Sequence, residues 1–155
     1  MPVIIFLLSL IGLLSPKSED IEITFVGDAM QHGPQVSAAL RAGNGKSYNY
    51  SECFKYVAPD IFAADFAVAN LECPLGGKPY SGYPQFSAPD DFAKQLKTVG
   101  FDLLLTANNH CMDRGAAGLK RTIWALDSLR IPHIGTYNNL DERGKRLPLL
   151  ANIKG

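Results

Sequence analysis

Residues 103–118 read LLLTANNHCMDRGAAG. Leu103, Leu104 and Leu105 form a short, continuously apolar run, the pattern of a strand buried on both faces. Asn108, Asn109 and His110 then arrive together, followed by Asp113 and Gly115. From Ala116 the spacing predicts a helix, with Ala116, Leu119, Ile123 and Leu126 recurring every three or four residues on one face. Carboxamides, an imidazole and a carboxylate between a buried strand and a helix sit at the carboxyl end of a sheet. That is where open α/β sheets bind ligands. A plain polar turn, with Asn and Asp as caps, satisfies the same stretch.

Working outward, the preceding helix is predicted over 89–99. Pro89 suits its first position, Asp90 and Asp91 suit the positive end of its dipole, and Phe92, Leu96 and Val99 share a face before Gly100 closes it. Upstream, 74–87 is a loop rich in Gly, Pro and Tyr. Residues 66–69 (FAVA) read as a buried strand that runs straight into Asn70, Leu71 and Glu72. Residues 21–27 (IEITFVG) read as the first strand and lead into Asp28. Between them a helix is predicted over 35–42, closed by Gly43, and a shorter one over 52–57. Downstream of the quoted stretch, the helix is expected to run to Leu129, followed by strands over 131–135 (IPHIG) and 147–153 (LPLLANI). Strands alternating with helices indicate an α/β fold with a parallel or mixed sheet.

The chain has 155 residues, room for one domain with a sizeable core. Fifteen basic residues balance fifteen acidic ones, and no basic stripe appears, so no nucleic-acid partner is expected. Cys53, Cys73 and Cys111 form no C-x-x-C pair, which argues against a zinc ribbon or a thioredoxin-type motif. A Cys53–Cys73 bridge fits an extracytoplasmic chain; free thiols are the expectation here, with Cys111 a small buried residue.

Residues 3–14 (VIIFLLSLIGLL) are unbroken apolar and small residues, shorter than the ~20 needed to span a membrane. The run fits the apolar core of a secretory signal or a short anchor, although no Lys or Arg precedes it. Residues 1–20 are therefore read as a signal or anchor segment and 21–155 as the folded domain, exported or membrane-anchored. Lys154-Gly155 reads as the turn of a hairpin, so the domain is expected to be the N-terminal part of a larger one.

Three predicted strands end in site-type residues: Asp28, then Asn70 and Glu72, then Asn108, Asn109 and His110. Parallel strands bring these ends to one edge. The converged set is rich in hard oxygen donors with one imidazole, which suits Mn²⁺, Mg²⁺, Fe or Zn²⁺ in a hydrolytic site.

The combination of Gly27-Asp28-Ala29-Met30, Asn70-Leu71-Glu72-Cys73-Pro74 and Gly100-Phe101-Asp102 with Ala107-Asn108-Asn109-His110-x-x-Asp113-x-Gly115-x-x-Gly118-Leu119 resembles the bacterial capsule synthesis CapA family, which includes poly-γ-glutamate synthesis proteins. Thr122, Leu126 and residues 131–135 continue the pattern. That family is similar to the calcineurin-like metallophosphoesterases, so the resemblance implies part of a four-layer αββα sandwich. It implies Asp28, Glu72 and Asn109 as ligands of a divalent metal, His110 as general acid or substrate contact, and Asn70 and Asn108 as catalytic-site or supporting groups. Asp113 either orients His110 or caps the next helix. Where the superfamily has a His two residues after its first Asp, this chain has Met30, and His32 lies two further on. His133, on an apolar strand, is read as structural. The superfamily's later His ligands come from the second half of the fold, so this chain alone is expected to bind metal weakly or not at all. The functions implied are a metal-dependent phosphoesterase-type hydrolase acting on a phosphoester or polyanionic polymer in capsule or poly-γ-glutamate biosynthesis, or a non-catalytic accessory component of a membrane-associated polymer synthesis or export complex.

Overall fold

The computed structural model describes residues 20–154. The apolar segment expected to act as a signal or anchor lies outside them. No helix among the described residues is long and apolar enough to cross a membrane. Four strands pair in parallel, in the order in which they occur: β1 (Ile23–Ala29), β2 (Phe66–Leu71), β3 (Leu103–Leu105) and β4 (His133–Ile134). Among the described residues there are six helices: α1 (Gly33–Ala42), α2 (Ser51–Phe54) and α3 (Ala58–Ala63) between β1 and β2, α4 (Asp90–Thr98) between β2 and β3, α5 (Gly115–Ser128) between β3 and β4, and α6 (Leu140–Arg146) after β4.

A parallel sheet that grows in one direction through right-handed crossovers stacks its helices on one face. One hydrophobic cluster joins Ala67, Ala69, Leu71 and Leu104 of the sheet to Ala39 of α1, Ile61 of α3, Phe92, Ala93 and Leu96 of α4, and Ala125 and Leu126 of α5. The alanines of β2 have no bulk, which lets those helices approach closely. The opposite face carries Ile23, Phe25 and Leu105, exposed to 45, 73 and 37 %. Leu103 and Leu104 are buried and Leu105 is exposed, so on the open face the cover is lost toward the end of the strand. An apolar run shows that a strand is hydrophobic on both sides, not that both sides are covered.

The capping logic read for α4 holds with small shifts. Pro89 is the N-cap residue, Asp90 and Asp91 occupy the first turn, and Gly100 follows the C-cap with φ +108°. The inward face of α5 differs from the expected one. Gly118, Thr122, Ala125 and Leu126 are buried, with Ile123, whereas Ala116 is exposed. The helix turns Gly118 and Thr122 towards the backbone of the 74–77 segment, a tertiary contact that apolar periodicity does not reveal.

Two differences fall at the C-terminal side. Residues 147–153 form no strand, and Leu150 is 87 % exposed. The chain has instead made α6, whose N-cap Asn139 accepts from Glu142 N at 2.8 Å. Arg146 at its end binds Asp127 and Glu142, which directs the following residues against the Ile131–His133 corner rather than along a strand edge. His133 is buried, as expected for a structural residue: its ring nitrogens face Ile131 O (3.0 Å) and Arg146 Nη1 (3.1 Å).

All three cysteines are free thiols. Cys73 is fully buried and accepts from Gln31 N at 3.2 Å; burial pushes its thiol up to about 12.

Two measurements check this arrangement. Leu104→Ala, which opens the helix-face core, is expected to cost about 2–5 kcal/mol in urea unfolding, and Leu105→Ala, on the open face, well under half as much. In a thiol titration with an aromatic disulfide at pH 8, Cys53 reacts in the native chain, whereas Cys73 reacts only after unfolding.

Candidate functional site

The site begins with a one-residue irregularity. Phe25 lies opposite Val68, and Asp28 lies opposite Asn70, so β1 carries one more residue than β2 between these pairs. Without that bulge Gly27 would face Asn70. The extra residue brings Asp28 into register with it, on the same side of the sheet; bulges re-aim side chains in this way beside functional sites. Asn70 is paired in turn with Leu105, the last residue of β3.

At this edge Asn70 is the hub. Its Nδ2 donates to Asp28 Oδ1 at 2.7 Å and also to Glu72 Oε2. Its Oδ1 accepts from Asn108 Nδ2 at 3.0 Å. Asn108 Nδ2 also donates to Leu71 O at 2.9 Å, and Asn108 Oδ1 accepts from His110 N at 3.0 Å. The polar atoms of both carboxamides are thus committed, and this network sets which end of each amide is oxygen. Two carboxylates from separate elements meet on one amide nitrogen. Asp28 is exposed, and Glu72 is buried to 6 % exposure.

His110 stands beside this cluster. Its Nδ1 lies 2.8 Å from Asp113 Oδ2, which also accepts from Phe86 N at 2.7 Å. The Phe86 ring meets the imidazole edge-on, with centroids 4.6 Å apart. Of the two roles open to Asp113, this one orients His110; the N-cap position of α5 belongs to Arg114. An Nδ1–H donated to Asp113 leaves Nε2 free to accept or deliver a proton.

The turn is braced from below and from the side. Gly135 has φ +126°, and a Cβ there would sit 2.6 Å from Ala107 N, so only glycine lets the exit of β4 press against the residue before Asn108. Thr106 Oγ1 meets Thr136 Oγ1 at 2.9 Å. The 74–88 loop is pinned along its length. Leu75 N donates to Thr122 Oγ1 (2.9 Å), Ala88 N to Pro74 O (2.9 Å), and Arg114 to Pro79 O (2.9 Å). Arg121 clamps Asp90 with two bonds of 2.8 and 2.9 Å while also reaching Leu75 O. This loop delivers Phe86 to His110.

The strand ends therefore bring together Asp28, Asn70, Glu72 and Asn108, with His110 and Asp113 adjoining. Asn109 is exposed at the tip of the turn and joins no side-chain hydrogen bond among the described residues. The His32 ring packs on Phe86 and Tyr83, at 5.3 and 6.4 Å between centroids. Sequence reading missed Phe86. It lies in an aperiodic loop, where only its apolar character among Gly, Pro and Tyr marks it for burial. Among the described residues no group of three or more His, Cys, Asp and Glu is arranged to hold a metal ion. Asp28 and Glu72 alone are a hard oxygen pair. That fits a cation such as Mg²⁺ or Mn²⁺, which takes one or two protein carboxylates and fills its remaining positions with water.

The bacterial capsule synthesis protein model PGA_cap matches residues 22–155. The capsule biosynthesis protein CapA of Bacillus anthracis is 29 % identical over 132 residues, covering 81 % of this chain and 31 % of that protein. The PGA biosynthesis protein CapA of Bacillus subtilis (strain 168) is 28 % identical over 137 residues, covering 84 % and 34 %. An uncharacterized protein of Sinorhizobium fredii, y4uA, is 33 % identical over 119 residues, covering 71 % and 23 %. The chain spans about a third of the length of the two CapA relatives. The matched region takes in β1 to β4 with Asp28, Asn70, Glu72, Asn108 and His110, and the chain belongs to the bacterial capsule synthesis protein family.

Proposed function

We propose that this chain carries the first part of a metal-dependent hydrolase site used in capsule or poly-γ-glutamate biosynthesis, acting on a phosphoester or on the end of a polyanionic polymer. The observation that carries this reading is the Asn70 nitrogen bound to both Asp28 and Glu72, which holds two carboxylates within reach of one cation. Asp28 and Glu72 would hold the cation, and Asn109 at the exposed tip of the turn is the further ligand the reading assigns. The bound ion supplies positive charge to a phosphoryl oxygen and acidifies water.

The chain's own residues then do the rest. Asn70 and Asn108 keep the carboxylates in place. Asp113 holds the imidazole of His110 in one tautomer and one orientation, leaving Nε2 as the proton carrier for the leaving group. Phe86 screens one edge of that imidazole from water. Names of the Bacillus relatives support the capsule context, and capsule assembly supports an extracytoplasmic or membrane-associated setting.

The open sheet face belongs to the same reading. Ile23, Phe25 and Leu105 are an apolar surface without a covering layer among the described residues, and the CapA relatives have about twice as much chain again. A second sheet laid on that face completes the αββα sandwich and supplies the remaining metal ligands.

A second reading is supported by the names of the Bacillus relatives, which speak of biosynthesis and not of hydrolysis: a non-catalytic component of a membrane-associated polymer synthesis or export complex. The two readings part in one experiment. In the full-length protein, Asp28→Ala and His110→Ala are each expected to lower metal-dependent hydrolysis of an activated phosphodiester by about 10²–10⁴-fold and to stop polymer production in cells. Polymer production at the normal level in both variants would establish the accessory reading. In the 155-residue chain, Mn²⁺ is expected to bind more weakly than about 10⁻⁴ M by calorimetry and not at all in Asp28→Ala; tight stoichiometric binding would refute the incomplete-site reading.

A further inference from the structure

The partners of a buried imidazole's two ring nitrogens decide which protonation state it can hold. The His133 side chain is 2 % exposed. Its Nδ1 lies 3.0 Å from Ile131 O, which only accepts, so Nδ1 carries a hydrogen. Its Nε2 lies 3.1 Å from Arg146 Nη1, which only donates, so Nε2 is bare and accepts. Turning the ring over would leave both partners facing carbon, so the two contacts fix the ring's orientation as well as its tautomer. The ring they describe is neutral. A second proton, on Nε2, would set N–H against N–H and one cation against another.

Arg146 is also what holds α6 to the rest of the protein. No residue of α6 is buried. The Lys145–Asp141 and Arg146–Glu142 pairs lie within the helix and move with it. Among the described residues, the side-chain hydrogen bonds from α6 to another strand or helix all start at Arg146. One reaches His133 of β4, and two run from Nη2 to the Asp127 carboxylate of α5, at 3.2 and 3.0 Å. Two further charged groups face this corner. Lys145 lines the same hollow as His133 and Pro148, and Asp127 Oδ1 lies 3.9 Å from His133 Nε2. Asp127 is therefore the acceptor that a protonated Nε2 would find, and it is already engaged by Arg146. Whether the charged ring turns away from Arg146 or takes Asp127 from it, α6 loses a tie.

We propose that His133 and Arg146 form an acid-sensitive clasp, closed by the neutral imidazole and opened by its protonation, which frees α6 and the residues after it from β4. β4 is also the strand whose exit braces the Asn108 turn, through Gly135 and Thr136. The clasp does not depend on whether the strand-end cluster is hydrolytic.

The test is ¹⁵N relaxation on the labelled 155-residue chain at about pH 7.5 and about pH 5.5, an interval that spans ordinary histidine titration and lies above that of carboxylates. Order parameters of the α6 amides are expected to fall from about 0.85 to below about 0.6 on acidification, while those of α5 stay high. His133→Gln puts a carboxamide oxygen within reach of Arg146 and does not titrate in this interval, so α6 is expected to stay ordered at both pH values. Arg146→Gln, at a partly exposed position, is expected to leave α6 loose at both, and it decides the matter if His133→Gln does not fold. Three results would each overturn the proposal: α6 order unchanged by acid or lost together with that of α5, an acid response that survives in His133→Gln, or α6 ordered at neutral pH in Arg146→Gln.

Discussion

One carboxamide nitrogen, that of Asn70, donates to carboxylates from two different elements while its oxygen accepts from a third. Remove that nitrogen and Asp28 and Glu72 confront each other without a donor between them. The rest of the edge is built to keep it there. The bulge in β1 sets Asp28 in register with Asn70, and Asn108 holds the oxygen and ties the β3 turn to Leu71 O. The same Asn108 then holds the backbone of His110. The chain of constraint runs from sheet register, through two amides, to the orientation of an imidazole.

The long loop between β2 and α4 has the composition of a mobile surface segment and behaves as a structural one. Glycine at 82 lets its backbone lie against the start of α1, where a Cβ would come within 2.4 Å of Gly33 N. Ser81 and Ser87 pair through their backbones, and Thr122, Arg114 and Arg121 hold its path from α5 and the residue before it. A loop laced at this density loses its conformational freedom once, on folding, and not again when a ligand arrives. Phe86 reaches His110 as part of a preorganised wall.

What the sequence discloses here divides along physical lines. α4 and α5 were legible because each has a helical period with a Gly or Pro at its border, and β2 and β3 because each is a short, continuous apolar run. The convergence of Asp28, Asn70, Glu72 and Asn108 was legible because parallel strands share an edge. Leu105 was misread because an apolar strand does not say which of its faces has a neighbour. Residues 147–153 were misread for a related reason: β-rich composition makes a strand only where an edge is offered, and Pro148 brings no N–H to one. The helix before them was overlooked although Asn139 and Glu142 carry the spacing of a cap. Gln31 with Tyr50, and Phe86 with Asp113, join positions 19 and 27 residues apart that no local pattern links.

The sheet order β1-β2-β3-β4 repeats the order of synthesis. Each strand finds its partner in the one made just before it, so no strand waits for a later insertion between two already paired, and the loops closed are those of single crossovers. For a chain leaving a ribosome, where segments fold as they emerge, that is a vectorial layout. Every group of the acid, amide and imidazole cluster is present once residue 113 has been made, and the residues that follow add its braces at Thr122, Gly135 and Thr136.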